Sequence, residues 1–524
     1  MGSNTAELLP HKHNRKPRLG PKNPSEVVKS RQAKELVIGL CGAIGSGVRQ
    51  VKNSLIEELE DAGYRVFHLR LSKFISDYYK KTREGIDSLS GAERYDRLQR
   101  LGNEMRKDFG PEILAELSIR EIASIRAYES PESEENNPKF AFVIDQLKNP
   151  AEVEIFRLVY PSIFYLLGVL SPEESRKASL EREGLKPHEI NNLIERDRKD
   201  DTNSGQQLEK TLKESDYFLT NPNGNLSHLR HAIQRFVGLI HGENGLTPTK
   251  DEYGMYAAHA ASLGSACLSR QVGAAIVDPD GNVLATGCND VPKSGGGRYT
   301  ADDGDKDHRC VRNLGFCRND HYKKQLITTI SSSLNSTIES LDDKIKALLP
   351  EDFQGQLISA VSENSQLKSI IEYSRAVHAE MDAIVSLARD SKASAKSATL
   401  FSTTYPCHSC ARHIVSAGIK KVVFIEPYEK SLAKQLHNDS ITTGSEQDKV
   451  IFVSFEGVAP RRFDTFFGGQ KVRKDSKGIA TKIILSDANH VDAQFLDPYR
   501  KYEAQILANV TAKLQDEDTY TPHS

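Results

Sequence analysis

The 524-residue chain has no tryptophan, four methionines and no excess of either charge. Its 70 Lys and Arg stand against 72 Asp and Glu, a formal net charge of −2. Such balance gives no general attraction to nucleic acid and leaves only local patches for it. Without Trp, the broadest rings on which single-stranded bases stack are missing. Long apolar runs are missing too. The longest, Leu36 to Val48, carries four glycines and is too short to span a bilayer, so no membrane partner is expected. Seven cysteines are an odd number, and no signal-peptide apolar core opens the chain. The expectation is a reduced, cytoplasmic protein. At ~150 residues per domain, the length suggests two to four domains.

What is present gathers in two short stretches, Val377-His378-Ala379-Glu380 and Tyr405-Pro406-Cys407-His408-Ser409-Cys410. Zinc is held by neutral imidazole and thiolates, and a catalytic site keeps one coordination position open. His378, Cys407 and Cys410 supply three ligands with no obvious fourth, which suits an open site holding one Zn2+ per subunit. On a helix starting at Pro406 the two cysteines share a face, and the positive helix end favours thiolates. Glu380 stands two residues past the histidine, close to the metal yet free to move protons. In this order, with proline directly before the first cysteine, the residues match the zinc-deaminase signature, His-x-Glu followed by Pro-Cys-x-x-Cys.

Taken in order, residues 1–32 form a basic, proline-punctuated arm. Glu35 to Leu40 reads as a buried parallel strand. The loop Gly42-Ala43-Ile44-Gly45-Ser46-Gly47 and a helix from Val48 follow, the arrangement that cradles phosphate on bare N–H groups. The Walker pattern would put Lys at 48 and Ser or Thr at 49, where this chain has Val48 and Arg49. Phe140 to Asp145 is a second apolar strand ending in an acid. Leu98 to Asn103 and Glu195 to Arg198 resemble parts of nucleoside monophosphate kinases. Residues 33–243 are therefore expected to be a P-loop-like α/β domain with a parallel sheet and a damaged catalytic loop. A regulatory nucleotide bound there without phosphoryl transfer is one reading, an inert scaffold another and a working kinase a third.

Residues 241–249 read as a linker. A helix from about Asp251 to Ser269, a hairpin (Val272 to Val277, Val283 to Gly287), a helical insertion near 322–374, then helix, strand, helix and strand imply a three-layer α/β/α domain over 250–490. A C-terminal helix and tail occupy 491–524. The sequence resembles the cytidine deaminase superfamily, most closely its deoxycytidylate branch, on Ser269-Arg270, Val272-Gly273-Ala274, Gly287-Cys288-Asn289, the His378–Glu380 stretch and the Pro406–Cys410 stretch. Fusion to a P-loop-like domain narrows the resemblance to bacterial anti-phage dCTP deaminases. It implies conversion of free dCTP or dCMP to the uracil form, starving a phage of precursor. It also implies Asn289 and Arg270 at the substrate, a homo-oligomer, and restraint by a small RNA or nucleotide effector.

In such a site Glu380 serves as base and then acid. His308, Cys310, Cys317 and His321 contain enough donors for a second zinc, although the spacing matches no standard finger. Arg309, Arg312 and Arg318 offer charges for substrate phosphates. Other readings remain: a polynucleotide deaminase, a house-keeping dCMP deaminase supplying dUMP, and a non-enzymatic nucleotide sensor.

Overall fold

In the computed structural model the described residues are 33–80, 86–129, 139–198, 207–221, 225–346, 348–350, 352–363, 370, 373–390, 393–427, 431–444, 446, 448–468, 473–474, 476–488, 490–491 and 496–515. The basic arm at 1–32 and the last nine residues of the tail lie outside them. The protein is α/β with two six-stranded mixed sheets.

The first sheet is built on β1 (Leu36–Gly42), every residue of which is buried. Such a run has no polar face to give to water, so it sits centrally, in parallel register with β3 (Phe140–Asp145) and β4 (Phe164–Leu170). Outside them lie β2 (Arg65–Arg70) and β5 (Tyr217–Thr220). Helix Val48–Asp61 buries Val48, Val51, Leu55 and Leu59, a helical spacing that makes one apolar stripe against the sheet. Strand, glycine turn and helix are thus present as the sequence implied. The turn, however, closes on the protein itself. Ser46 N–H bonds the Ala43 carbonyl at 3.0 Å, and Ile44 N–H donates to the buried carboxylate of Asp197 at 2.7 Å. Lys148 Nζ holds that carboxylate at 2.5 Å and the Gly42 carbonyl at 3.2 Å. The protein's own anion takes an N–H that a phosphate would need.

Thr249 caps the next helix, Lys250–Ser262, in a capping box with Glu252. This helix ends at Ser262, well before the Ser269 expected from sequence; Leu263 and Gly264 turn the chain toward the second sheet. That sheet has the order β10–β11–β9–β8–β6–β7. The hairpin of β6 (Gly273–Val277) and β7 (Val283–Cys288) is antiparallel. β8 (Thr399–Thr404), β9 (Lys421–Glu426), β10 (Ile441–Thr442) and β11 (Val450–Ser454) run parallel to one another. Helix Lys250–Ser262 covers one face, and helices Ala379–Asp390 and His408–Ser416 the other. This is the three-layer arrangement expected.

Past the second sheet the chain returns to the first half. After β11 the chain crosses back, and β12 (Gly457–Val458) pairs antiparallel with β5 of the first sheet. Helix Leu496–Gln515 then docks on helix Ile113–Glu129. Its Glu503 receives Arg126 at 2.6 Å and the Tyr160 hydroxyl at 2.6 Å, while Arg126 also grips Glu35 at 2.9 Å. One apolar core runs through both halves, with Met255, Ala275 and Phe401 of the second in the same cluster as Phe142 and Phe218 of the first.

Candidate metal centre and pocket

Two helix starts converge behind β6 and β7. His378 is the residue before helix Ala379–Asp390, and its carbonyl accepts the Asp382 N–H at 2.8 Å. Cys407 is the N-cap of helix His408–Ser416 and its sulfur accepts the Cys410 N–H at 3.4 Å. Sequence reasoning began that helix at Pro406. The structure instead makes Cys407 the cap, so its sulfur receives the unsatisfied N–H of the first turn and the positive helix end directly.

His378 presents Nδ1 to both sulfurs, 3.4 Å from Cys407 Sγ and 3.3 Å from Cys410 Sγ. All three donor atoms lie within 4.8 Å of one another, and among the described residues they are the one such grouping of three. Tetrahedral zinc, with bonds of about 2.0–2.3 Å, sets N and S ligands roughly 3.5 Å apart, so the triad fits the ion. The two thiols share their protons unequally. The Cys410 thiol and the imidazole of His378 draw Cys407 well down toward thiolate, which in turn raises His378, whereas Cys410 is held up by the same pairing and by burial.

Glu380 is 4 % exposed and its Oε2 lies 3.5 Å from Cys410 Sγ. Burial raises its pKa above the usual carboxylate range. Its helix is set by two contacts. Asp382 accepts the Cys288 N–H at 3.0 Å and pairs with Arg298 at 2.9 Å. Gly287 lets the helix backbone lie against β7, since a Cβ there would meet the Ala379 carbonyl oxygen and the backbone of Ala383.

His378, Glu380 and Cys407 line a cavity of about 140 Å³ together with Arg270 and Asn289. Asn289 is nearly buried: its Oδ1 accepts the Val272 N–H at 2.6 Å and its Nδ2 donates to the Arg270 carbonyl at 2.7 Å. The carboxamide thus holds the 270–272 turn, and one N–H and one lone pair remain. Arg270 is half-exposed at the mouth, 3.8 Å from Glu426. The sequence-read loop at Gly42 to Arg49 is not part of this cavity. Cys317 and Asn319 were not read as pocket residues, yet both line it. Asn319 donates to the Ile370 carbonyl at 3.0 Å and leaves its buried Oδ1 unbonded. The polar cluster around 308–321 was the only signal for them, and it pointed to a metal.

Among the described residues Cys310, Cys317, His308 and His321 form no second metal grouping. Arg309 is also reassigned. Its guanidinium grips Asp307 at 2.7 Å and stands 3.6 Å from Asp290, which commits it to the loop. No helix of the described residues is long and apolar enough to cross a membrane.

Residues 248–426 match the family model of the cytidine and deoxycytidylate deaminase zinc-binding region. The deoxycytidylate deaminase of Enterobacteria phage T2 is 29% identical over 174 residues, covering 33% of this chain and 78% of that protein. The deoxycytidylate deaminase of Enterobacteria phage T4 is 44% identical over 55 residues, 10% of this chain and 28% of that one. Among solved structures, the apo dCMP deaminase of cyanophage S-TIM5 matches at 21% identity and a TM-score of 0.22, over 40% of this chain and 100% of that one. The second half of the protein therefore carries a zinc-binding domain of the cytidine and deoxycytidylate deaminase type.

Proposed function

We propose that the protein is a zinc-dependent hydrolytic deaminase of free deoxycytidine nucleotides. It converts dCTP to dUTP, dCMP to dUMP, or both, with release of ammonia, and drains the dCTP pool during phage infection. The observation that carries this reading is the buried carboxylate of Glu380 beside a His378–Cys407–Cys410 triad of zinc-like spacing, inside a cavity of nucleoside-ring scale.

Zinc, when bound by His378, Cys407 and Cys410, supplies the Lewis acidity that makes water a nucleophile near neutral pH. Glu380 supplies the proton traffic. Its raised pKa suits a group that takes one proton from water and passes it to N3 of cytosine, then takes the second from the hydroxyl added at C4 and passes it to the departing amine. Asn289, through its remaining N–H, orients the sugar, and Arg270 meets phosphate at the mouth. The half-exposed Arg270 suits a small anion better than a buried polymer backbone. A regulatory nucleotide at Gly42 to Arg49 would first have to displace Asp197 from the Ile44 N–H.

The test is mass spectrometry of the zinc-loaded protein with dCTP, dCMP and cytosine-containing single-stranded oligonucleotides. Ammonia and uracil nucleotide from the free nucleotides are expected, with none from Glu380→Ala. Turnover confined to oligonucleotides would replace this reading with the polynucleotide one. In infected cells, wild-type protein should lower dCTP, and unchanged pools alongside intact protection would remove dCTP depletion as the cause of that protection.

A further inference from the structure

A second and larger cavity, of about 390 Å³, lies between the two halves. Ala43, Val169 and Leu170 line it at the carboxyl ends of β1 and β4, where open α/β sheets commonly take their ligands. Its opposite wall is aromatic. Tyr405 packs edge-on to Phe424 with centroids 4.8 Å apart and tilted to the buried Phe452 at 5.4 Å, and all three residues line the cavity.

The charges around it are a poor match for phosphate. Four carboxylates line it (Glu173, Glu174, Asp197, Glu209) against three cations (Arg176, Lys177, Lys434). Lys434 already pairs with Glu174 across the halves, and Lys177 with Glu173 at 2.7 Å. Asp197 is already neutralised by Lys148, so the rim carries no net positive charge for an anion, which would also have to break formed pairs. An uncharged heteroaromatic ring avoids both costs: it stacks on the aromatic wall, its amino N–H groups face carboxylates, and Ser454 and Gln435 supply further polar contacts.

Two physical links join this cavity to the deaminase pocket. Tyr405 lines both, two residues before Cys407. Leu208 and Leu212 of the cavity wall belong to helix Leu208–Lys213, whose Lys213 pairs with Glu426 at 2.8 Å, and Glu426 in turn faces Arg270 at 3.8 Å. We propose that the cavity is an effector site for an uncharged nucleobase or nucleoside, read out at Arg270 through Tyr405 and the Lys213–Glu426–Arg270 chain. Binding is independent of the deaminase reading; only the readout rests on it.

The experiment is calorimetry on the full zinc-loaded chain with adenosine, guanosine and thymidine, each beside its 5′-triphosphate. At least one nucleoside should bind saturably, about tenfold tighter than its triphosphate. Ser454→Phe, which fills the cavity, should weaken it at least tenfold, and Gln435→Trp, at the exposed mouth, gives a second blocking variant should the first fold poorly. Glu380→Gln should bind the nucleoside unchanged, which separates this site from the substrate pocket. Glu426→Gln should keep binding within twofold but lose the nucleoside's effect on KM. No nucleoside binding, binding indifferent to both blocking variants, or tighter binding of the triphosphate would overturn the site. Nucleoside binding that leaves KM unmoved in the wild type would overturn the link. A chain that binds nucleoside but deaminates nothing would sink the deaminase reading and leave the site standing.

Discussion

Gly287→Ala is the sharpest probe of how the metal centre is built, because the residue touches neither metal nor substrate. A Cβ at 287 would lie 3.0 Å from Ala383 Cα and closer still to the Ala379 oxygen and the Ala383 nitrogen. These are backbone atoms of the helix that His378 precedes and that carries Glu380 in its first turn, so no side chain can swing aside. The helix must retreat from β7 by something on the order of 1 Å, an overpacking cost of about 1–3 kcal/mol. His378 Nδ1 now stands 3.3–3.4 Å from the two sulfurs, and the same retreat would carry it out of tetrahedral reach. If that strain falls on ligation, zinc affinity drops roughly ten- to a hundredfold, at about 1.4 kcal/mol per factor of ten. Competition against a chromogenic chelator gives the affinity, and far-UV circular dichroism with a melting curve checks the fold. A folded Gly287→Ala protein with wild-type zinc affinity would refute the claim that this close approach positions the ligands.

Glu380→Gln should keep about one zinc per chain yet lose on the order of 10²–10⁴ in turnover, the range for a lost proton-transfer group; near-normal turnover with bound metal would end the proton-shuttle assignment. Arg126→Met leaves Glu35 and Glu503 facing each other in a buried site, and should destabilise the protein by about 3–5 kcal/mol, read as a fall in the urea midpoint; an unchanged midpoint would show that the C-terminal helix is held by apolar contact alone. His241 is buried against the Tyr64 hydroxyl at 2.7 Å, with His490 on the same oxygen at 2.8 Å, and burial lowers its pKa from 6.5 to about 4. The unfolded chain then binds the extra proton first, so this stabilisation is full above about pH 6.5 and drains away as pH falls toward 4. Urea midpoints at pH 7.5 and 5 should differ in that sense, and His241→Phe should flatten the slope; an equal slope in the variant would assign the acid sensitivity elsewhere.

The metal triad and Glu380 were legible in sequence because zinc chemistry restricts both residue type and spacing, and because two of the ligands sit within one helical turn. The central strands were legible for a similar reason: Leu36 to Leu40 and Phe140 to Ile144 are apolar without alternation, which only a doubly covered strand allows. What escaped depends on partners far along the chain. Asp197 closes the glycine turn from 153 residues away, and nothing local distinguishes it from any other helix acid. Gly457–Val458 is too short to read as a strand, yet it completes the first sheet. Cys317 and Asn319 reach the pocket only because the insertion folds back beside Ser374 and Ala376, and a polar cluster rich in Cys and His reads first as a metal site.

These long-range contacts make the two halves one mechanical object. Glu252, 1 % exposed, shows why. Its carboxylate takes the Thr249 N–H at 2.7 Å in the capping box, Arg235 of the first half at 2.6 Å, and the Val458 N–H at 2.9 Å in β12. One buried charge therefore fixes the start of the deaminase helix, the end of the first half and the returning strand together. A buried carboxylate loses much of its stabilisation when any one of its donors leaves, so the three elements are energetically coupled. Lys213 holds Glu426 and Lys434 holds Glu174 from opposite sides of the same seam. A change in how the halves meet thus reaches β9 and Arg270 through charged contacts across the seam. The glycine turn, sealed by Asp197, does not need to hold a nucleotide for the first half to matter to the second. It supplies one wall of the cavity behind the metal centre, and the shared Tyr405 is the shortest route between them.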